Sequence, residues 1–314
     1  MKHTSDYHER FDSPGLISWG GKMGNLTVSA PIGFKNILFA TDFSSTTELA
    51  LPYALQIARR SGGTLHAVHV IQPDIYPLVP PSEWSKMAQE EKEFRERKKN
   101  ELEQAFQGIP HEFLLPSGDV WDKLENVIED QDIDLVVLGT HGRTGLRKIL
   151  LGSVAEKVFR KAVCPVLTVG PAVASKAKHA AAAEFNRILY ATDFSPESLA
   201  AAPYAVCVAK ENRAQLILMH AIQSEEPGQV DTAYHTLRDV VPSGANLEFK
   251  PRLVVEPGAP HAGILGVAAR HDVDLIVLGV RRAPGNPAVV ARFPHSIVYD
   301  IVVEAACPVL TVRG

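Results

Sequence analysis

Residues 37–44 read ILFATDFS, and residues 188–195 read ILYATDFS. Each is a short apolar run that gives way to Ala-Thr-Asp-Phe-Ser, the pattern of a buried strand ending in a polar turn. Two further segments repeat in the same order. DIDLVVLG at 132–139 returns as DVDLIVLG at 272–279, and CPVLTV stands at both 164–169 and 307–312. The offsets are 151, 140 and 143 positions. Three repeats in one order mark a tandem duplication of a single domain of about 135–150 residues.

Working outward, the two copies span 34–170 and 185–314. Between them, residues 171–184 read PAVASKAKHAAAAE, an Ala/Lys-rich stretch with no core pattern that is expected to be a linker with some helix. Residues 1–33 have no counterpart in the second half and are expected to be a poorly ordered extension, in which Met23 is a second candidate start.

Within the first copy, apolar runs at 35–40, 65–71, 111–116, 134–139 and 165–169 are candidate strands. Runs that are apolar on both faces and alternate with helical patterns predict a parallel sheet covered on both sides. The first helix is expected to start at Ser45, with Glu48 completing a capping box, to carry Leu49, Tyr53 and Ile57 on one face, and to stop at Gly62-Gly63. A charged helix over about 82–107 has Trp84, Met87, Phe94, Leu102 and Phe106 as its apolar side, and its shorter equivalent covers about 228–241 with Val230, Tyr234, Leu237 and Val241. The fold class is therefore α/β: two tandem Rossmann-like domains, each a five-stranded parallel sheet with helices on both faces.

The 314 residues are 46% hydrophobic and 22% charged, which is enough apolar material for two cores. A net charge of −4 with dispersed Lys and Arg leaves no basic footprint for nucleic acid. Cys164, Cys207 and Cys307 form no CxxC and no metal-ligand spacing, and an odd count fits a reducing compartment. The opening MKHTSDYHERFDS lacks the apolar stretch of a signal peptide, and no run approaches the roughly 18 apolar residues of a membrane span. The expectation is a cytoplasmic protein with neither nucleic-acid nor membrane partners.

In such sheets ligands bind beyond the carboxyl ends of the strands, where strand order reverses. Two motifs fall just after strands one and four. Ala40-Thr41-Asp42-Phe43-Ser44 places a carboxylate where a ribose hydroxyl or a metal-bound water would be held, although Asp42 and Ser44 equally suit the cap of the following helix. Gly139-Thr140-His141-Gly142-Arg143 leads through Arg147 and Lys148 to Gly152-Ser153-Val154, the pattern G-x2-G-x9-G-S ending at a helix start. Glycines admit close approach of phosphate oxygens, a helix N-terminus offers amides and a positive dipole end, and the basic residues add charge.

With these residues in view, ATDFS, the HVI of 69–71 and GTHGRTGLRKILLGSVAEKVFRKAVCPVLTV resemble the universal stress protein domain in its ATP-binding subclass, whose fold is the adenine nucleotide alpha hydrolase-like one. The resemblance covers about 34–170 and again about 185–314. It implies that Gly139, Gly142, Gly152 and Ser153, with Arg143 and Val154 beside them, hold the phosphates and ribose of ATP. It also implies that Thr41 and Asp42 sit at the nucleotide, Asp42 through a Mg2+-bound water, with Ala40 and Val70 near the adenine. Paired CPVLTV strands would make the two halves an intramolecular pseudo-dimer, with further homodimerisation open.

The second half keeps Ala191-Thr192-Asp193 and Gly279 but follows with VRRAPGNP, has no second glycine three residues on, and sets His295 where Gly152 stood when Ser296 is aligned with Ser153. Prolines there remove amide donors. ATP is expected to bind weakly or not at all at the second site. His66 and His69, three apart on one strand, point to opposite faces and are expected to be structural. No GxSxG, HExxH or Walker P-loop is present, so no catalytic residue is assigned. The alternatives are a slow Mg2+-dependent ATPase and a non-nucleotide interaction module.

Overall fold

The computed structural model describes residues 33–71, 81–140, 151–176, 183–224, 226–281 and 297–314. In the first half, β1 (Asn36–Ala40), β2 (Thr64–Val68), β3 (His111–Leu114), β4 (Leu135–Gly139) and β5 (Val166–Val169) alternate with α1 (Ser45–Ser61), α2 (Pro81–Ala105), α3 (Val120–Asp130) and α4 (Ser153–Lys161). A short α5 (Val173–Lys176) leads into the second half. There β6 (Arg187–Ala191), β7 (Gln215–Ile222), β8 (Arg252–Pro257), β9 (Leu275–Val280) and β10 (Val309–Arg313) alternate with α6 (Pro196–Leu199), α7 (Ala202–Asn212), α8 (Pro227–Val240), α9 (Pro260–Arg270) and α10 (Ile297–Glu304).

The ten strands form one sheet in the order β3-β2-β1-β4-β5-β10-β9-β6-β7-β8. Within each half all pairings are parallel. The halves join antiparallel at β5 and β10, with Leu167 opposite Leu310. There the repeated threonines answer each other: the Thr168 hydroxyl donates to the Val309 carbonyl (3.1 Å) and the Thr311 hydroxyl to that of Val166 (3.3 Å).

Strand alternation explains the two cores. Ile37, Phe39, Leu135 and Val137 face one way, and Leu38, Val136 and Leu138 the other. The first face is covered by α1, α2, α7 and α8, the second by α3, α4, α9 and α10, so each core runs through both halves. Burial on both faces is why these strands read as continuous apolar runs.

Four sequence expectations need correction. Helix α1 starts at Ser45 and is ended by the αL residue Gly62, as expected, but its cap is the Ser44 side chain, which accepts the Thr47 N–H, in place of a Ser45–Glu48 capping box. The face of α1 buried on the sheet is the small-residue stripe Ala50, Ala54 and Ala58, while Leu49, Tyr53 and Ile57 are only partly buried. Tyr53 turns to the other half, stacking on Phe185 at 5.7 Å, and the equivalent pair Tyr204 and Phe34 stacks at 6.3 Å. Leu102 of α2 and Phe106 just past its end are buried, but Trp84 near its start is 47% exposed. Finally, the 171–184 stretch is not wholly free of core: Val173 and Ala183 are buried.

Candidate functional site

Strand order reverses between β1 and β4, so the crevice lies beyond Ala40 and Gly139, where Ala40 pairs with Leu138. The turn after β1 is built by its own side chains. Thr41 Oγ1 accepts the Phe43 amide (3.0 Å). Asp42 Oδ1 accepts the Ser44 amide (3.0 Å) and the Thr47 hydroxyl (2.8 Å). Of the two readings weighed for ATDFS, these bonds are those of the helix cap: Ser44 caps α1, and Asp42 braces the cap.

Phe43 is held at φ 59°, in the left-handed region, which costs a non-glycine residue about 1–3 kcal/mol. The offsetting contacts come from His69, just beyond β2. Its ring lies 4.4 Å from the Phe43 ring, and its Nδ1 bonds to the Thr41 carbonyl at 2.8 Å. A carbonyl only accepts, so Nδ1 carries the proton and fixes the tautomer. His69 is thus structural, as expected, but its task is to pin the turn that presents Asp42. The arrangement is duplicated in the second half, with Phe194 at φ 62°, His220 4.3 Å from it, and His220 Nδ1 bonded to the Thr192 carbonyl at 2.8 Å.

Beyond β4, Thr140 is fully buried and its carbonyl accepts the Gly152 amide (2.7 Å). This bond ties the start of α4 to the end of β4. Gly152 is the N-cap of α4, with φ −60° and ψ 151°. Its own amide is committed, so the amides without an intrahelical acceptor are those of Ser153, Val154 and Ala155. Gly139 has a packing reason of its own. A Cβ there would meet the Thr46 carbonyl carbon at 3.0 Å and the Thr47 nitrogen at 3.1 Å, so the glycine lets β4 pass under the first turn of α1. Ala40 and Val70 both pack partly buried against the second core. Of the ten candidate residues, Gly142 and Arg143 lie outside the described residues, as do His141, Arg147 and Lys148.

Sequence reasoning missed Thr47, His69 in its bracing role, and Tyr299. The hydroxyl of Tyr299, on α10 of the second half, accepts the amide of Leu151, the residue before Gly152 (3.1 Å). Spacing gives no signal for such a cross-half contact. The exact counterpart of the His69 brace, by contrast, was visible as the 151-residue offset between His69 and His220.

In the second half, Asp193 Oδ1 accepts both the amide and the hydroxyl of Ser195 (3.0 and 2.6 Å). Burial pushes this carboxyl up, but hydrogen bonds from Ser195 and Ser198 outweigh it and leave it below the ordinary carboxylate range. His295 and Ser296, on which the expected loss of the second phosphate loop rests, lie outside the described residues. Among the described residues no group of three or more His, Cys, Asp or Glu is placed to hold a metal ion, and no helix is long and apolar enough to cross a membrane.

A family model, "Universal stress protein family", matches residues 33–170 and again 184–313. Universal stress protein MJ0577 of Methanocaldococcus jannaschii is 32% identical over 155 residues, covering 43% of this chain and 94% of that protein. Universal stress protein MJ0531 of the same organism is 34% identical over 142 residues, covering 43% and 82%. A universal stress protein structure from Archaeoglobus fulgidus superposes with a TM-score of 0.69 at 23% identity, covering 88% of this chain and 98% of that one, and shows the same fold. With both halves matched, the chain belongs to the universal stress protein family as a tandem pair of its domains.

Proposed function

We propose that the first half binds ATP and that the chain acts in the cytoplasm as a nucleotide-dependent regulator of the stress response rather than as an enzyme. The observation that carries this reading is the tether between Thr140 and Gly152. It sets the open amides of α4 beside the end of β4, across the strand-order switch from Asp42. A helix N-terminus of this kind suits phosphate oxygens, and a carboxylate at the neighbouring strand end suits ribose hydroxyls. Gly142 and Arg143 would complete the phosphate loop by resemblance.

The donor set fits a nucleotide better than it fits a metal of its own. Asp42 is one carboxylate with Oδ1 already accepting two hydrogen bonds, so Mg2+ would arrive with the phosphates and meet Asp42 through water. The same two bonds argue against Asp42 as a general base, since they already occupy the lone pairs of Oδ1.

The test is to incubate the chain with Mg2+-ATP and measure nucleotide retained and phosphate released. The reading expects ATP to be bound and recovered intact. Turnover that disappears in Asp42→Ala while the fold persists would instead make the protein an ATPase.

A further inference from the structure

The second half reaches across the β5–β10 junction and holds α4, a helix of the first half, at both ends. At its start two successive amides are tied down. The Leu151 amide donates to the Tyr299 hydroxyl of α10 (3.1 Å), and the Gly152 amide donates to the Thr140 carbonyl (2.7 Å). Leu151 and Tyr299 are both buried, so this hydroxyl satisfies an amide that has left water.

At the other end, the last bond of the helix runs from the Ala162 amide to the Val158 carbonyl. The Phe159 carbonyl is the next along and has no helical partner. Arg313 of β10 donates to it (2.6 Å) and brings a positive charge to the negative end of the helix dipole.

The hold runs one way. The CPVLTV copies lie 143 positions apart, so Tyr299 answers to Glu156, Arg313 to Gly170 and Val302 to Phe159. Glu156 pairs with Arg160 inside its own helix (2.9 Å), and Gly170 has no side chain. A Cβ on Gly170 would stand 3.7 Å from the Val302 carbonyl oxygen, the counterpart of the oxygen that Arg313 caps. The backbone therefore sets a residue beside α10 as it sets one beside α4, and only the second half supplies the side chain.

We propose that Tyr299 and Arg313 are positioning residues for phosphate binding in the first half. They fix α4 so that the amides of Ser153, Val154 and Ala155 stand beside the end of β4 before ATP arrives, which removes the cost of ordering them on binding. The second half, whose own loop has no glycine three residues after Gly279, serves the first as a brace. This role rests on the ATP reading given above.

The experiment is calorimetry on the full chain with Mg2+-ATP and with adenosine, and urea unfolding to check each variant. Tyr299→Phe keeps the ring in the core and removes only the acceptor of the Leu151 amide. Arg313→Met keeps the stem and removes the donor, and Arg313→Lys restores a charged donor. Tyr299→Phe and Arg313→Met should each weaken Mg2+-ATP about three- to tenfold, while Arg313→Lys stays within about twofold of the wild type. Adenosine, which has no phosphate to meet α4, should bind all of these chains alike. Equal losses for ATP and adenosine would mean a general loosening and overturn the positioning role. If adenosine binds too weakly to titrate, the lysine variant decides, and a loss as large as that of Arg313→Met overturns the role. Should Tyr299→Phe fail to fold, the two Arg313 variants carry the test. Wild-type ATP binding that neither Tyr299→Phe nor Arg313→Met weakens would overturn the positioning role and leave the proposed function standing. A wild type that binds no ATP would overturn both.

Discussion

Alanine substituted for three glycines should separate by stability in an order set by what each new methyl meets. At Gly279 a Cβ overlaps the Glu197 carbonyl oxygen and the Ser198 Cα, both backbone atoms of the short α6. At Gly139 it reaches the Thr46 carbonyl carbon at 3.0 Å and the Thr46 oxygen and Thr47 nitrogen at 3.1 Å, tight but not overlapping. At Gly228, in the first turn of α8, it meets nothing within 4 Å. Overpacking a rigid neighbour costs about 1–3 kcal/mol, so Gly139→Ala belongs in that range and Gly279→Ala at or beyond about 3 kcal/mol. Gly228→Ala, where only backbone freedom changes, should gain about 0.5–1 kcal/mol. Urea unfolding at 25 °C followed by circular dichroism reads all three. The Gly139 variant should also weaken ATP binding, because the turn it pushes carries Thr47, the donor to Asp42. Equal midpoints for Gly279→Ala and Gly228→Ala would refute the claim that these strands run hard against the helix starts.

Thr47→Val removes the hydroxyl donated to Asp42 and should cost about 1.5–3 kcal/mol, the range for hydrogen bonds to charged groups, measured by urea unfolding. Burial pushes the Cys164 thiol up to about 11 and, with Glu211 adding to it, the Cys207 thiol up to about 12. At pH 8 each is then about a thousandth thiolate or less, and Ellman's reagent should label neither quickly until denaturant is added; prompt labelling of buried Cys164 or half-buried Cys207 in the native chain contradicts the suppressed thiolate. Asp193, held below the ordinary carboxylate range, contributes stability that is complete above its unfolded pKa of about 3.9 and is lost as pH falls through its lower folded value. Asp193→Asn should therefore flatten the acid limb of the stability curve below about pH 4, modestly because the group is partly exposed. An unchanged limb would show that the Ser195 and Ser198 bonds do not hold the charged form.

The parallel sheet in each half was legible because its strands are apolar on both faces and the order of elements repeats. The ATDFS turn was legible as a capped strand-to-helix turn because a carboxylate and a cap residue follow a strand directly. What the letters did not carry was cross-half packing. Tyr53 fits a helical stripe whether it faces the sheet or the other half, and only the joining of the halves brings Phe185 against it. The buried stripe of α1 was missed because alanines score weakly as hydrophobes, yet Ala50, Ala54 and Ala58 are what let the helix approach the sheet. Trp84 was placed with the apolar face by spacing alone, but it is 47% exposed, and spacing says which residues share a face and not what covers it. Tyr299, contributed by the half whose phosphate loop departs from the pattern, was invisible for the same reason: a contact 148 residues away in sequence has no local signature.

The most direct test of the account is calorimetric titration of Mg2+-ATP into the wild type and Gly152→Asp. Gly152 has backbone angles open to any residue, and aspartate is a favoured N-cap, so the variant should fold at least as stably. It also sets a negative charge where phosphate is proposed to sit. The account predicts about one equivalent of ATP bound by the wild type and none by the variant. Binding that survives Gly152→Asp, two equivalents, or no binding to the wild type would contradict it.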